Sequence, residues 1–139
     1  YRPEWVLTNL EDGRAGGAKA CVALLAASPE QRPTAVLSSG SDELPLGLMA
    51  AARTRGIRCP EDLSVISFGD CRLVADPEGL ADLTTLEFSP EEITVTTLQF
   101  LSERLAGDQC APRQVLSPVK LMKRQSCAQA PQGLIAGKT

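Results

Sequence analysis

Polar side chains that could bind a small molecule cluster in three short segments of this 139-residue chain. Each segment follows a mainly apolar run, at 5–8, 35–38 and 63–68. Their hydroxyls, carboxylates and one guanidinium, that of Arg72, can hydrogen-bond a polyol or another small polar metabolite. The candidate binding residues are Asp12, Ser41, Asp42, Gly69 and Asp70.

The sequence lacks the residue patterns that acid–base and nucleophilic catalysis usually require. It contains no histidine, so neither a Ser-His-Asp nor a Cys-His arrangement can form within the chain. No two cysteines are spaced as Cys-x-x-Cys, the pattern of zinc ribbons and thioredoxin-like proteins. We therefore predict a protein that is not an enzyme, uses no cofactor and holds no metal. The cysteines, expected to be reduced thiols, are Cys21, Cys59, Cys71, Cys110 and Cys127.

Nucleotide and nucleic-acid binding are also disfavoured. The final Gly137-Lys138-Thr139 imitates the end of a Walker A motif, but Gln132 stands where its first glycine belongs. The glycines at 13, 16 and 17 do not fit G-x-G-x-x-G. The net charge is −3, whereas a duplex-binding surface requires a basic excess.

Runs of strand length alternate with segments of helical periodicity. Strands are predicted at 5–8, 35–38, 63–68, 83–86 and within 115–122, and helices at about 14–27, from Asp42 to before Gly56, and over 89–107. The last helix has the clearest start, because Ser89-Pro90-Glu91-Glu92 forms a capping box with proline at the first position. This alternation indicates an α/β fold with a mostly parallel sheet flanked by helices.

In such a sheet, ligands bind beyond the carboxyl ends of the strands, where loops enter helices. All the candidate residues would then lie at one edge of the sheet. The same residues suit structural roles: Asp12 and Asp42 as helix N-caps, Ser41 in a turn, and Gly69-Asp70 as a strand-ending turn. The sequence leaves both roles open.

The segment 32–70, RPTAVLSSGSDELPLGLMAAARTRGIRCPEDLSVISFGD, resembles the regulatory domain of the LacI/GalR transcriptional regulators. That family shows a PTA strand, an Asn-Asp pair opening a helix, an RG turn, a PEDVSV strand and a GFDD-like turn in this order. Downstream, Leu83-Thr84-Thr85 resembles its LTT segment, 98–107 its next helix and glycine, and 121–126 its closing strand.

The resemblance implies a two-lobed fold like that of periplasmic binding proteins, with a small effector, often a sugar or nucleoside, in the cleft. Residues 1–128 would form the C-terminal part of this sensing domain, with 129–139 as a flexible tail and the helix at 89–107 crossing to the other lobe. In the family, a cytoplasmic homodimer binds operator DNA through an N-terminal helix-turn-helix, which has no counterpart in this chain. No membrane contact is implied.

The candidate positions depart from the family pattern. Ser41 replaces an asparagine, Gly69 replaces the first aspartate of the GFDD turn, a usual sugar contact, and Asp12 falls near a usual aromatic residue. Asp70 keeps the second aspartate. These departures weigh against an ordinary sugar and leave another ligand, or none, as alternatives.

Two other protein classes share this architecture. A periplasmic solute-binding protein is the main alternative, although the PEDLSV and LMKRQS strings fit the regulators better. An enzyme on a flavodoxin-like sheet is the third, but the absence of histidine and of a phosphate loop weighs against it.

Overall fold

Three helices and four strands form the framework of the computed structural model, which describes residues 3–8, 10–28, 31–39, 43–69 and 83–130. The helices are α1 (Gly13–Leu24), α2 (Glu43–Arg53) and α3 (Pro90–Leu105). The strands are β1 (Ala35–Ser38), β2 (Ser64–Phe68), β3 (Thr84–Glu87) and β4 (Lys120–Met122).

The strands form one sheet in the order β1-β2-β3-β4. The pairs β1–β2 and β2–β3 are parallel, whereas β3–β4 is antiparallel. Ser38 is in register with Ser67, so β1 and β2 end at the same edge. The α/β fold with a mostly parallel sheet, predicted from the sequence, is confirmed.

The strand predicted at 5–8 is wrong. Pro3–Trp5 forms a short 3₁₀ helix, and Val6 donates its N–H to the Pro3 carbonyl at 2.9 Å. A strand exists only through pairing with a neighbour, and among the described residues β1 pairs with β2 alone. An apolar run indicates burial, but it does not provide that neighbour.

The core forms where α1 packs against α2 through glycines. A Cβ on Gly17 would lie 2.7 Å from the Leu48 nitrogen and closer still to the Leu44 carbonyl oxygen. A Cβ on Gly47 would lie 2.7 Å from the Arg14 carbonyl carbon. The two backbones therefore touch directly. The fully buried side chains around this contact include Cys21, Ala52, Leu48, Leu63 and Val65.

The sheet is covered unevenly. Val65 and Ser67 of β2 are fully buried on the face toward the core, whereas Phe68 on the opposite face is 42% exposed. In β1, Leu37 is 64% exposed on that same outer face. The prediction that 35–38 is a strand is confirmed, but its burial on both faces is wrong, because Leu37 leaves the outer face of β1 open to solvent.

Candidate functional site

Asp12 caps the N-terminus of α1, beside the carboxyl edge of the sheet. Its backbone is extended, with φ −69° and ψ 159°, and its Oδ1 accepts a hydrogen bond from the Gly13 N–H at 2.9 Å. The side chain is exposed and lies where the first-turn N–H groups concentrate partial positive charge. Asp12 is therefore the N-cap of α1, one of the two roles that the sequence left open. This capping bond keeps its carboxylate at the start of the helix.

A cavity of about 290 Å³ opens between the N-terminal segment and β1. Its walls are largely aliphatic, with Leu44 and Leu48 from α2 and the ring of Trp5 from the N-terminal segment. Polar groups are few and come from Asp12, Ser38 and Ser39. A mainly apolar cavity with a few converging polar groups is the usual composition of a small-ligand site.

Ser38 is the unusual residue of this cavity. It is only 6% exposed, and its hydroxyl has no hydrogen-bond partner among the described residues. Buried hydroxyls in folded proteins are nearly always partnered, so an unpartnered one on a cavity wall points to a ligand or an ordered water. The sequence analysis missed Ser38 because it is the last residue of an aliphatic run. The sequence signal that could have identified Ser38 as a candidate is a serine at the end of a run predicted to be a buried strand.

Gly69 contributes a turn to this edge. Its φ is +134°, a conformation that residues with a Cβ rarely adopt. Its N–H donates to the Leu86 carbonyl at 2.9 Å, and its carbonyl accepts a hydrogen bond from the Thr85 hydroxyl. These bonds hold the end of β2 on β3, and Gly69 is not among the residues that line the cavity. The family's aspartate is therefore replaced by glycine at a position where the backbone conformation favours glycine.

The remaining candidates, Ser41, Asp42 and Asp70, lie outside the described residues. The structure thus brings Asp12 together with Ser38 and Ser39, and the other positions remain predictions.

Ion pairs neutralise the charges next to the cavity. Arg14 Nε lies 2.7 Å from Glu43 Oε2 and joins the starts of α1 and α2. The Lys19 ammonium hydrogen-bonds the Glu11 carboxylate and holds its pKa below the ordinary value. Asp12 is therefore the acidic group through which the cavity itself would contact a polar ligand.

No three acidic or thiol side chains of the described residues are arranged to hold a metal ion. None of the described helices combines the length and the apolar character needed to cross a bilayer.

Comparison with known proteins agrees with this architecture. The family model described as "Periplasmic binding protein-like domain" matches residues 1–127. The HTH-type transcriptional repressor PurR of Yersinia pestis bv. Antiqua is 30% identical over 132 residues, which cover 94% of this chain and 36% of the repressor. The chain thus spans about a third of the length of the curated relatives it matches.

Solved structures give the same picture. A LacI family transcriptional regulator from Bifidobacterium animalis subsp. lactis superposes with a TM-score of 0.70 and 30% identity, over 88% of this chain and 43% of that one. A LacI family regulator from Enterococcus faecium with bound ribose has a TM-score of 0.66 and 26% identity over the same shares.

The chain belongs to the periplasmic binding protein-like domain family, within the branch formed by the LacI-type transcriptional regulators. The resemblance inferred from the sequence is confirmed. The relatives named above are regulators, and they give no support to the alternative of a periplasmic solute-binding protein.

Proposed function

We propose that this chain forms one wall of the pocket in which a LacI-type regulator senses a small polar effector. The observation that carries this proposal is the buried, unpartnered hydroxyl of Ser38, a residue that lines the same cavity as Asp12. That cavity includes the carboxyl end of β1, which pairs in parallel with β2, and α/β sheets bind ligands beyond the carboxyl ends of their strands.

The lining favours a small ligand with several hydroxyl groups and one apolar face. Ser38 and Ser39 can donate or accept hydrogen bonds, Asp12 can accept them, and Trp5 offers an aromatic surface. Trp5 thus places an aromatic ring near the site, although the family's usual aromatic position falls near Asp12. The volume of about 290 Å³ lies at the lower end of the range for small-molecule sites.

We further propose Ser41, Asp42 and Asp70 as effector contacts, since they follow the strand-forming runs 35–38 and 64–68 closely in the sequence. Gly69 offers no carboxylate there. A sugar would therefore lose a charge-assisted hydrogen bond worth roughly 1.5–3 kcal/mol, or about tenfold to a hundredfold in affinity. Effectors that do not depend on that contact are favoured.

The remaining parts of the proposal concern the whole regulator. It acts as a cytoplasmic homodimer that binds operator DNA through a helix-turn-helix outside this chain, and the effector shifts that affinity without being chemically changed. The net charge of −3 and the absence of histidine support a sensing role for this part. In a mobility-shift assay, we expect the 139-residue chain alone to show no sequence-selective, salt-dependent binding to duplex DNA.

Titration calorimetry on the regulator that contains this chain tests the site. D-ribose is the first probe, because the Enterococcus faecium regulator holds it, followed by other pentoses, hexoses and nucleosides. Asp12→Asn keeps an N-cap oxygen but removes the charge, so it separates the binding role from the cap role. Ser38→Ala removes the unpartnered hydroxyl.

We expect Asp12→Asn to weaken binding about tenfold or more and Ser38→Ala to weaken it about two- to tenfold, with little change in stability. Ser102→Ala is the matched control, because its hydroxyl bonds the Gln99 carbonyl on α3. Unchanged affinity in both cavity variants, for a probe that does bind, would show that Asp12 and Ser38 serve only the fold.

A further inference from the structure

Two thiols lie close together at the end of the sheet opposite the cavity. Cys59 belongs to the loop that leads into β2, and its Sγ lies 3.6 Å from the Ser126 carbonyl oxygen. Cys127 belongs to the segment after β4, and its Sγ lies 3.2 Å from the Val65 carbonyl oxygen. Val65 and Ser126 are themselves bonded, N to O, at 2.8 Å. Both thiols thus border a single backbone hydrogen bond.

We propose that Cys59 and Cys127 form a reversible disulfide that fastens the segment after β4 to the start of β2. In the reduced state the Cys59 thiol donates to the carbonyl of Ser126, next to Cys127, and the Cys127 thiol donates to the carbonyl of Val65 in β2. Formation of the disulfide therefore requires the two side chains to turn toward each other. Neither cysteine is exposed or fully buried, and a small oxidant can reach them.

The backbone on both sides of this pair is firmly held. The Ser126 hydroxyl donates to the Val65 carbonyl at 2.6 Å and accepts from the Thr84 N–H at 2.7 Å. On the other side, Asp62 accepts a hydrogen bond from the Arg58 N–H at 2.9 Å and pairs with its guanidinium. Because the backbone is held on both sides, bridging depends on rotation of the two side chains, and disulfides form only within a narrow range of geometries.

The other described cysteines are placed differently. Cys21 is fully buried between α1 and α2. Cys110 is exposed beyond α3, where its N–H bonds the Asp108 carboxylate at 2.8 Å. Cys71 lies outside the described residues. Among the residues the structure describes, Cys59 and Cys127 are therefore the pair suited to bridging.

The oxidant we propose is a peroxide. The Cys127 thiolate attacks one peroxide oxygen, the O–O bond breaks, and the departing hydroxide takes up a proton to become water, which leaves Cys127 as a sulfenic acid. The Cys59 sulfur then attacks the sulfenic sulfur, its S–O bond breaks, and a second water carries away the thiol proton. Two thiols lose two electrons, which hydrogen peroxide accepts, and a dithiol reductant reverses the reaction.

The order of these steps follows from the surroundings of Cys59. Burial, together with the nearby Cys127 and Glu61, raises the pKa of the Cys59 thiol to about 11. Cys59 is therefore protonated near neutral pH and acts second. Raising the pH from 7 to 9 increases its thiolate fraction and should accelerate bridging.

The test uses the purified 139-residue chain, reduced and then treated with hydrogen peroxide. We expect the intact mass to fall by two hydrogen atoms, and non-reducing peptide mapping to find Cys59 linked to Cys127. Because the bridge would close a long loop, the melting temperature should rise by roughly 5–15 °C, and dithiothreitol should reverse the shift. Cys59→Ser and Cys127→Ser should lose both effects, while the control Cys110→Ser should keep them.

Several outcomes would overturn the proposal. These are alkylation of both thiols after peroxide treatment, oxidation of each sulfur by added oxygen without a bridge, or a link from either cysteine to Cys71. If a serine variant fails to fold, the peptide map of the unaltered chain decides by itself.

Discussion

The α1–α2 pair and α3 all carry apolar residues at helical spacing, but their surroundings differ completely. In α2, Leu46 and Leu48 are each 1% exposed, and Gly17 and Gly47 let the two helix backbones touch. In the 16-residue α3, no residue is buried, and Leu105 is 80% exposed. Periodicity shows that a helix has an apolar side, but not what covers it.

Local interactions hold α3 together. The Ser89 hydroxyl caps its start by accepting from the Glu92 N–H at 3.1 Å. Near its end, the Arg113 guanidinium pairs with Glu103 and lies 4.1 Å from the centre of the Phe100 ring. Exposed ion pairs of this kind contribute little individually. The resemblance implies that this helix crosses to another lobe, which would cover its open stripe of leucines (98, 101 and 105).

A matched pair of leucine substitutions separates the two regions most sharply. Leu48→Ala should lower the free energy of unfolding by about 2–5 kcal/mol, because it leaves a cavity in the core. Leu101→Ala should change it by no more than about 0.5 kcal/mol, because Leu101 is 52% exposed. Urea denaturation of the 139-residue chain measures both, and equal losses would mean that α3 is packed against the core.

Gly17→Ala tests the direct contact between α1 and α2. The added methyl group overlaps the backbone of α2 and should cost about 1–3 kcal/mol, although alanine is the better helix former. Ala23→Leu on the exposed side of α1 serves as the control and should be nearly neutral. Stabilisation by Gly17→Ala, measured in the same urea titration, would contradict the close approach of the helices.

Removal of the α3 cap should have a smaller and more local effect. Ser89→Ala should destabilise the first turn of α3 by about 1 kcal/mol. Amide hydrogen exchange should then accelerate in the first turn of α3 but not in α1. Uniform acceleration in both helices would instead show that α3 unfolds together with the core.

The weakest expected effect is the response of the α3 end to acid. The Arg113 guanidinium, aided by Gln99, holds the pKa of Glu103 below its ordinary value of 4.5. A carboxylate with a lowered pKa stabilises the fold above that ordinary value and loses this contribution as the pH falls below it. Protection of the amides in residues 103–113, measured against their intrinsic exchange rates at each pH, should therefore fall below about pH 4.5. Glu103→Gln should flatten this response, and an unchanged profile would argue against the ion pair.

Elements that depend on neighbours in the sequence were predictable. The start of α3 follows from its capping box, and 35–38 forms a strand as its composition predicts. Asp12 at the start of α1 was predictable for the same reason, because a cap is a contact between adjacent residues. The order of motifs along 32–126 was also sufficient to identify the family, which the comparisons confirm.

Features that depend on distant partners required the tertiary structure. The run at 5–8 is not a strand, and Leu37 is exposed, because strand pairing and sheet coverage are long-range contacts. Ser38 is a candidate for ligand binding because its hydroxyl has no partner and because it lines the same cavity as Trp5 and Asp12, both of which are tertiary features. Composition and local patterns determined which elements this chain forms, whereas packing between them decided which polar groups were left without partners.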